Sequence, residues 1–321
     1  MSTMDSRAQQ ERCKSGDDGF IIVAVLWILA ALATLVSVYA IYVTNTAIAV
    51  ATSGEAVIAD PLVSAGVELA AYQLIGSKEE SRPAVGNFTA HVGAARLTVA
   101  FQTETARIDL NAAAKPLLAG LFVGAGAKPQ DADSYADRII AWRSKITTQN
   151  TTQVIDTDSE NSLYRSVGLN YTPRHGPFTH VGELWLVYGI PRAFIERVLP
   201  YVTVYSGKAQ VDLAQAAPQV LAAMPGISPE ALHGFQAARA AGTLDRTALS
   251  SLLGQSGAAL SSPNPGKTFR IGVKVDFDNG RRSAAEAVIL LADDGPAPYR
   301  VLSWRNALDG TTDQPLDFGR R

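Results

Sequence analysis

From Phe20 to Gly54 the chain carries no charged residue, and the first to appear is Glu55. The densest part, Phe20–Val43, reads FIIVAVLWILAALATLVSVYAIYV. As a helix this segment would extend about 36 Å, enough to cross a hydrocarbon layer of about 30 Å with some tilt. Helices buried in water-soluble proteins seldom run so far without a charge. Thr34 and Ser37 do not disqualify the segment, because hydroxyls can bond back to the helix backbone. The sequence therefore predicts a transmembrane helix over 20–43. Arg7, Arg12 and Lys14 precede it, and no Lys or Arg follows until Lys78. That asymmetry places the N-terminus in the cytoplasm and the remainder outside, in the periplasm of a cell with two membranes.

Beyond the membrane segment the chain is apolar enough to fold: 47% of its residues are hydrophobic and 18% charged, which is not a disordered composition. A net charge of −2 gives no electrostatic reason to expect nucleic acid or anionic lipid as a partner. The single cysteine, Cys13, excludes an intrachain disulfide and a Cys-based zinc site. Val57, Ile58, Leu62, Val63, Val67, Leu69, Ala70 and Leu74 recur at helical spacing, so a stalk helix continues from the membrane, with Pro61 expected to kink or interrupt it. Short β-like runs follow around 88–92, 97–102 and 106–110. Residues 112–143, 179–200 and 211–253 read as helices, and the polar stretch 147–177 reads as loop. After SSPNPGK the alternation FRIGVKVDF, the turn Asp278-Asn279-Gly280 and the runs at 287–291 and 299–304 predict strands. The expected fold is α+β: a long N-terminal transmembrane helix and a pilin-like antiparallel sheet interrupted by a large α-helical insertion. The expected divisions are 1–19, 20–43, 44–105, 106–262 and 263–321.

Two stretches within the insertion are alike. Ile108-Asp109-Leu110-Asn111-Ala112-Ala113-Ala114 and Val211-Asp212-Leu213-Ala214-Gln215-Ala216-Ala217 each place Asp after a β-branched residue and ahead of an apolar helix, which predicts two similar halves. Ala223-Met224-Pro225-Gly226-Ile227 resembles the turn of a helix-hairpin-helix (or SAM-like) module, so a membrane-anchored DNA-uptake receptor is the alternative from another class. Such a receptor wants basic residues around the hairpin, and between Gln210 and Gly242 only Arg239 is basic. Signals for catalysis are absent. His91, His175, His180 and His233 are scattered, and there is no HExxH, GxSxG, Walker loop or dinucleotide fingerprint, so no enzyme is expected. Asp156, Asp158 and Glu160 are close-spaced carboxylates of a kind that suits calcium, and equally a solvated acidic turn.

Gly19 meets Phe20 at the boundary of polar and apolar sequence, a junction that resembles the prepilin leader, cut after glycine by a membrane peptidase. ARIDLNAAAKPLL, ADRIIAWR, PFTHVGELWLVYGI and YVTVYSGKAQVDLAQAAPQVLAAMPGI, in this order, resemble the general secretion pathway protein K family, the minor pseudopilins of type II secretion. The resemblance implies cleavage between Gly19 and Phe20 by prepilin peptidase. It also implies an inner-membrane subunit at the tip of the pseudopilus, where it joins minor pseudopilins I and J, with H beneath, and starts assembly. Most pilin-like subunits hold a glutamate five residues into the mature chain. Here that place is Ala24, as the K class would have it. Ala24 is an expected contact with neighbouring subunits, and Val57, Ile58, Val63 and Val67 are expected at such an interface or in the chain's own core. Some relatives bind calcium in the insertion, although the pair Trp142-Arg143 lacks here the acidic flanks that many of them carry. A minor pilin of a related type IV pilus is the nearest other reading.

Overall fold

The computed structural model describes residues 17–144, 157–241, 260–261, 265–292 and 297–307. In chain order the elements are α1 (Asp17–Ile75), β1 (Val85–Val92), β2 (Ala95–Thr103), β3 (Ile108–Asp109), α2 (Lys115–Gly124), α3 (Pro129–Arg143) and α4 (Thr157–Ser166). Then come α5 (Arg192–Val198), β4 (Val202–Thr203), α6 (Pro218–Ala222), α7 (Pro229–Ala240), β5 (Thr268–Phe277), β6 (Arg282–Leu291) and β7 (Tyr299–Ala307).

The chain divides into two compact units, Met1–Pro61 and Leu62–Arg321. In the first, Phe20–Thr46 is long and apolar enough to cross a membrane, with a mean hydropathy of 2.8. Its hydroxyls are satisfied by the helix itself: Thr34 Oγ1 donates to the Ala31 carbonyl at 2.7 Å and Ser37 Oγ to that of Ala33 at 2.8 Å. Apolar side chains such as Trp27 and Leu35 point outward, as lipid requires. The expected interruption at Pro61 does not occur, for α1 continues through it. A proline forfeits only its own backbone bond, and the flanking turns carry the helix on.

The second unit is built on an antiparallel sheet of order β1-β2-β5-β6-β7. β1–β2 and β5–β6 are hairpins, with Gly93 and Gly280 supplying the positive φ their turns need. β2 pairs directly with β5, Thr103 opposite Phe269, so the chain leaves the sheet at one strand and returns at the next. Everything between is inserted. One face of the sheet carries the last turns of α1: Val63, Val67, Ala70, Ala71 and Leu74 share a core with Val99, Phe101, Ile271 and Val273. Helix and sheet meet closely because Gly66 lacks a side chain; a Cβ there would stand 2.6 Å from Val273 Cγ1.

The insertion has its own core, centred on Leu110, Leu117, Leu118, Phe122, Ile139, Trp142 and Leu184 from the first half and on Leu213, Val220, Leu221 and Phe235 from the second. Two expectations change here. The run at 106–110 contributes only the short β3, which pairs in parallel with β4 rather than joining the main sheet. Within the polar stretch 147–177, residues 157–166 form α4, because Tyr164 turns inward against Trp142, Tyr171 and Tyr188 and gives the segment a buried side.

Candidate assembly site in the insertion and at its junction with the sheet

Each half of the insertion starts with the same construction. In the first, Asp109 Oδ1 accepts the Asn111 backbone N–H at 2.7 Å, while its Oδ2 accepts Ser206 Oγ and Gly207 N at 2.9 and 2.7 Å. In the second, Asp212 Oδ1 accepts the Ala214 N–H at 3.1 Å. These are Asx turns. The aspartates therefore do not cap the helices that follow, which open later at Lys115 and Pro218. An arginine from the second helix of each pair then holds the turn. Arg143 donates to the carbonyls of Leu110 and Ala113 at 2.6 and 2.7 Å, and Arg239 donates to that of Ala216 at 2.6 Å. Gly126 and Gly226, both at positive φ, turn the chain between the paired helices, and Pro129 and Pro229 open the second helix of each pair.

The two halves meet through glycines on α2. A Cβ on Gly120 would lie 2.0 Å from the Ala223 carbonyl oxygen, and one on Gly124 would lie 3.9 Å from that of Gln219. The helices thus touch backbone to backbone, a contact no other residue at 120 allows.

The insertion is tied to the sheet by a buried ionic cluster. Glu104 follows β2 and is 0% exposed. Arg270 Nε of β5 donates to its Oε1 at 2.6 Å, and Thr203 Oγ1, on β4, donates to its Oε2. Arg270 also reaches Glu286 at 2.5 Å, and Arg305 bonds the same carboxylate. Burial alone would push the Glu104 carboxyl up. The Arg270 and Arg107 guanidiniums more than reverse this and hold it below its ordinary range. Arg107 is pulled down to about 10, chiefly by burial and then by the neighbouring Arg270. Around this cluster, Gln102 Nε2 donates to the Gln215 carbonyl at 3.0 Å and the Asp212 N–H to that of Thr105 at 2.7 Å, so both halves of the insertion are anchored at one place.

A second hub surrounds Glu183. It accepts Trp142 Nε1 at 3.2 Å, Arg174 at 2.8 Å and the Thr179 N–H at 3.0 Å, and it also accepts the Thr179 hydroxyl. Burial pushes this carboxyl up, but the Thr179 and Trp142 hydrogen bonds and Arg174 bring it below its ordinary range. The hub orders the loop under Trp142, whose ring stacks on Phe178 with centroids 6.0 Å apart.

The residues expected to matter are distributed as follows. Gly19 and Phe20 lie in the first turns of α1, and Phe20 is exposed. Ala24 is half-buried on the same helix. Val57 and Ile58 belong to α1, but their side chains fall outside the described residues. Val63 and Val67, expected at an interface or in the core, are each 2% exposed and belong to the chain's own core, because this is the side of α1 that faces the sheet. Asp156 lies outside the described residues, and Asp158 lies on α4. Glu160 pairs with Arg138 at 3.7 Å. Among the described residues no three such ligands converge.

Glu104, Arg270, Glu286 and Arg305 were not singled out by sequence reasoning. Arg270 sits at an outward place in a clean alternation, and nothing in the sequence shows that the insertion covers that face.

No curated protein matches the chain by sequence. Residues 97–207, from the start of β2 through the first half of the insertion, match the family model for type II secretion system protein K. The fold is similar to a chain in the crystal structure of the GspK-GspI-GspJ complex from the enterotoxigenic Escherichia coli type 2 secretion system. The TM-score is 0.57 at 15% identity, covering 80% of this chain and 98% of that one. The chain therefore matches the type II secretion system protein K family in sequence over residues 97–207, and over most of its length it shares the fold of a chain from that secretion system.

Proposed function

We propose that the chain is the minor pseudopilin at the tip of a type II secretion pseudopilus, where it joins pseudopilins I and J, with H beneath, and starts fibre assembly for protein export. The observation that carries this is the insertion. It leaves between two hydrogen-bonded strands, β2 and β5, and is tied down by Glu104 and Arg270 as a fixed body. A subunit inside a fibre has neighbours above and below, and so large a fixed body suits an end. Ala24 fits the same place. A carboxylate buried in lipid persists only where a partner meets it, and a subunit with nothing above it has no such partner.

In this reading prepilin peptidase cuts between Gly19 and Phe20 on the cytoplasmic side. Phe20–Thr46 then holds the chain in the inner membrane, and the second unit works in the periplasm. The role is structural rather than catalytic. Deleting the gene should abolish export of the cell's type II substrates, and the wild-type chain should restore it, with Ala24→Glu no better than wild type. Undiminished export in the deletion strain would overturn the proposal.

A further inference from the structure

The ionic cluster at the root of the insertion does not balance. Ala285, Ala287 and Ile289 of β6 face α1, so Glu286 between them points to the other side of the sheet. There it stands opposite Arg305 of β7, and Arg270 of β5 reaches it from the strand on its other flank. Arg107, three residues after Glu104, brings a third guanidinium, which acts on both Glu104 and Glu286. Three guanidiniums therefore meet two carboxylates, which leaves one positive charge uncompensated.

The hydrogen bonds are as uneven as the charge. Arg270, 6% exposed, takes both carboxylates, Glu104 at 2.6 Å and Glu286 at 2.5 Å, and Arg305 shares Glu286 with it. Arg107 bonds neither. Its Nη1 donates to the Pro200 carbonyl at 2.5 Å, and among the described residues its Nε and Nη2 have no partner. Burial and then the charge of Arg270 pull this guanidinium down to about 10, and Arg305 adds to the repulsion. The surplus charge is also within reach of a solute, since Arg107 is half-buried and the Arg305 side chain is 55% exposed.

We propose that Arg107 and Arg305 form a binding site for one further carboxylate, supplied by an acidic side chain of a partner protein or by a small carboxylate ion. A carboxylate fits on two counts. Its paired oxygens match the N–H fork of a guanidinium. Its single negative charge brings the cluster to neutrality, whereas a phosphate dianion would overshoot beside Glu286. The Pro200 carbonyl and Glu286 already hold the two arginines, so little ordering remains for the ligand to impose. A carboxylate seated here would strap the root of the insertion to β7. The site stands independently of the assembly reading, which enters only if a pseudopilin supplies the carboxylate.

The test measures how fast phenylglyoxal modifies each arginine of the full chain in detergent, read by peptide mass spectrometry in sodium chloride and in sodium acetate of equal ionic strength. Arg107 and Arg305 should react about threefold more slowly or less in acetate, while Arg165, exposed on α4, is unchanged. Arg107→Gln, which removes the surplus charge, should abolish the acetate effect at Arg305; if that variant misfolds, the wild-type rates still decide. The same measurement in chloride on the chain co-purified with pseudopilins I and J identifies the source. Slowing at both arginines in that complex, added to the acetate effect, points to a partner side chain, and an acetate effect without it points to a small ion. Equal rates in acetate and chloride overturn the site, even if the complex covers the two arginines. Equal slowing at Arg165, or an acetate effect at Arg305 that survives Arg107→Gln, overturns it as well. If the chain binds neither pseudopilin, the assembly reading falls and the acetate result still decides the site.

Discussion

A carboxylate with no exposed surface keeps its charge only if cations reach it, and Glu104 has Arg270 at 2.6 Å and Arg107 nearby. Its pKa is lower in the folded chain than in the unfolded one, so on acidification the unfolded chain takes up the proton first. The stability the pair supplies is therefore complete above the ordinary carboxyl value of 4.5 and is lost as the pH falls below it, through the folded value. Glu104→Gln strands a buried guanidinium and should cost about 3–5 kcal/mol at pH 7. Urea unfolding of the detergent-solubilised chain across pH would show the gap between mutant and wild type closing in acid. A gap independent of pH would contradict the charge assignment. This cluster was not legible in the sequence, because its members come from distant segments and Arg270 occupies an ordinary outward place in its strand. Asp109 and Asp212 were legible as a repeated pair. Their hydrogen bonds were not, since nothing local distinguishes an aspartate that makes an Asx turn from one that caps a helix.

At the scale of elements, α1 and the closing strands follow from periodicity: an uncharged run predicts the first, and FRIGVKVDF with Asp278-Asn279-Gly280 predicts β5 and its turn. The orientation of α1 was harder to read. Helical spacing shows that Val63 and Val67 share a side but not what covers that side, and the cover is the chain's own sheet. Val63→Asp should therefore unfold the second unit, at a cost of at least about 3 kcal/mol for an unpaired buried ion, rather than only release a partner. Circular dichroism separates the two outcomes, and a folded mutant that merely fails to bind would contradict the packing. The contact between α2 and α6 gives a second test. With the Ala223 carbonyl so close to position 120, Gly120→Val must push the halves apart and should cost at least about 1–3 kcal/mol, seen as a lowered urea midpoint. The segment α4 was missed because its helical signal is mostly the burial of Tyr164, which depends on Trp142 and Tyr188 far along the chain.

For the whole molecule, the family resemblance read from motifs between Ala106 and Ile227 agrees with the matched span of 97–207 and with the fold of the secretion complex chain. The insertion between β2 and β5 gives the second unit its own two cores, and the division at Pro61–Leu62 predicts that a fragment starting at Leu62 is soluble and folded. A cooperative unfolding transition in that fragment, without detergent, is the expected result. The account as a whole holds that this chain completes an assembly with two other pseudopilins, and the mass of the complex tests it most directly. Native mass spectrometry of the full chain co-expressed with pseudopilins I and J should detect a ternary particle containing all three, lost when either partner is omitted. Detection of this chain only alone or with copies of itself would contradict the account.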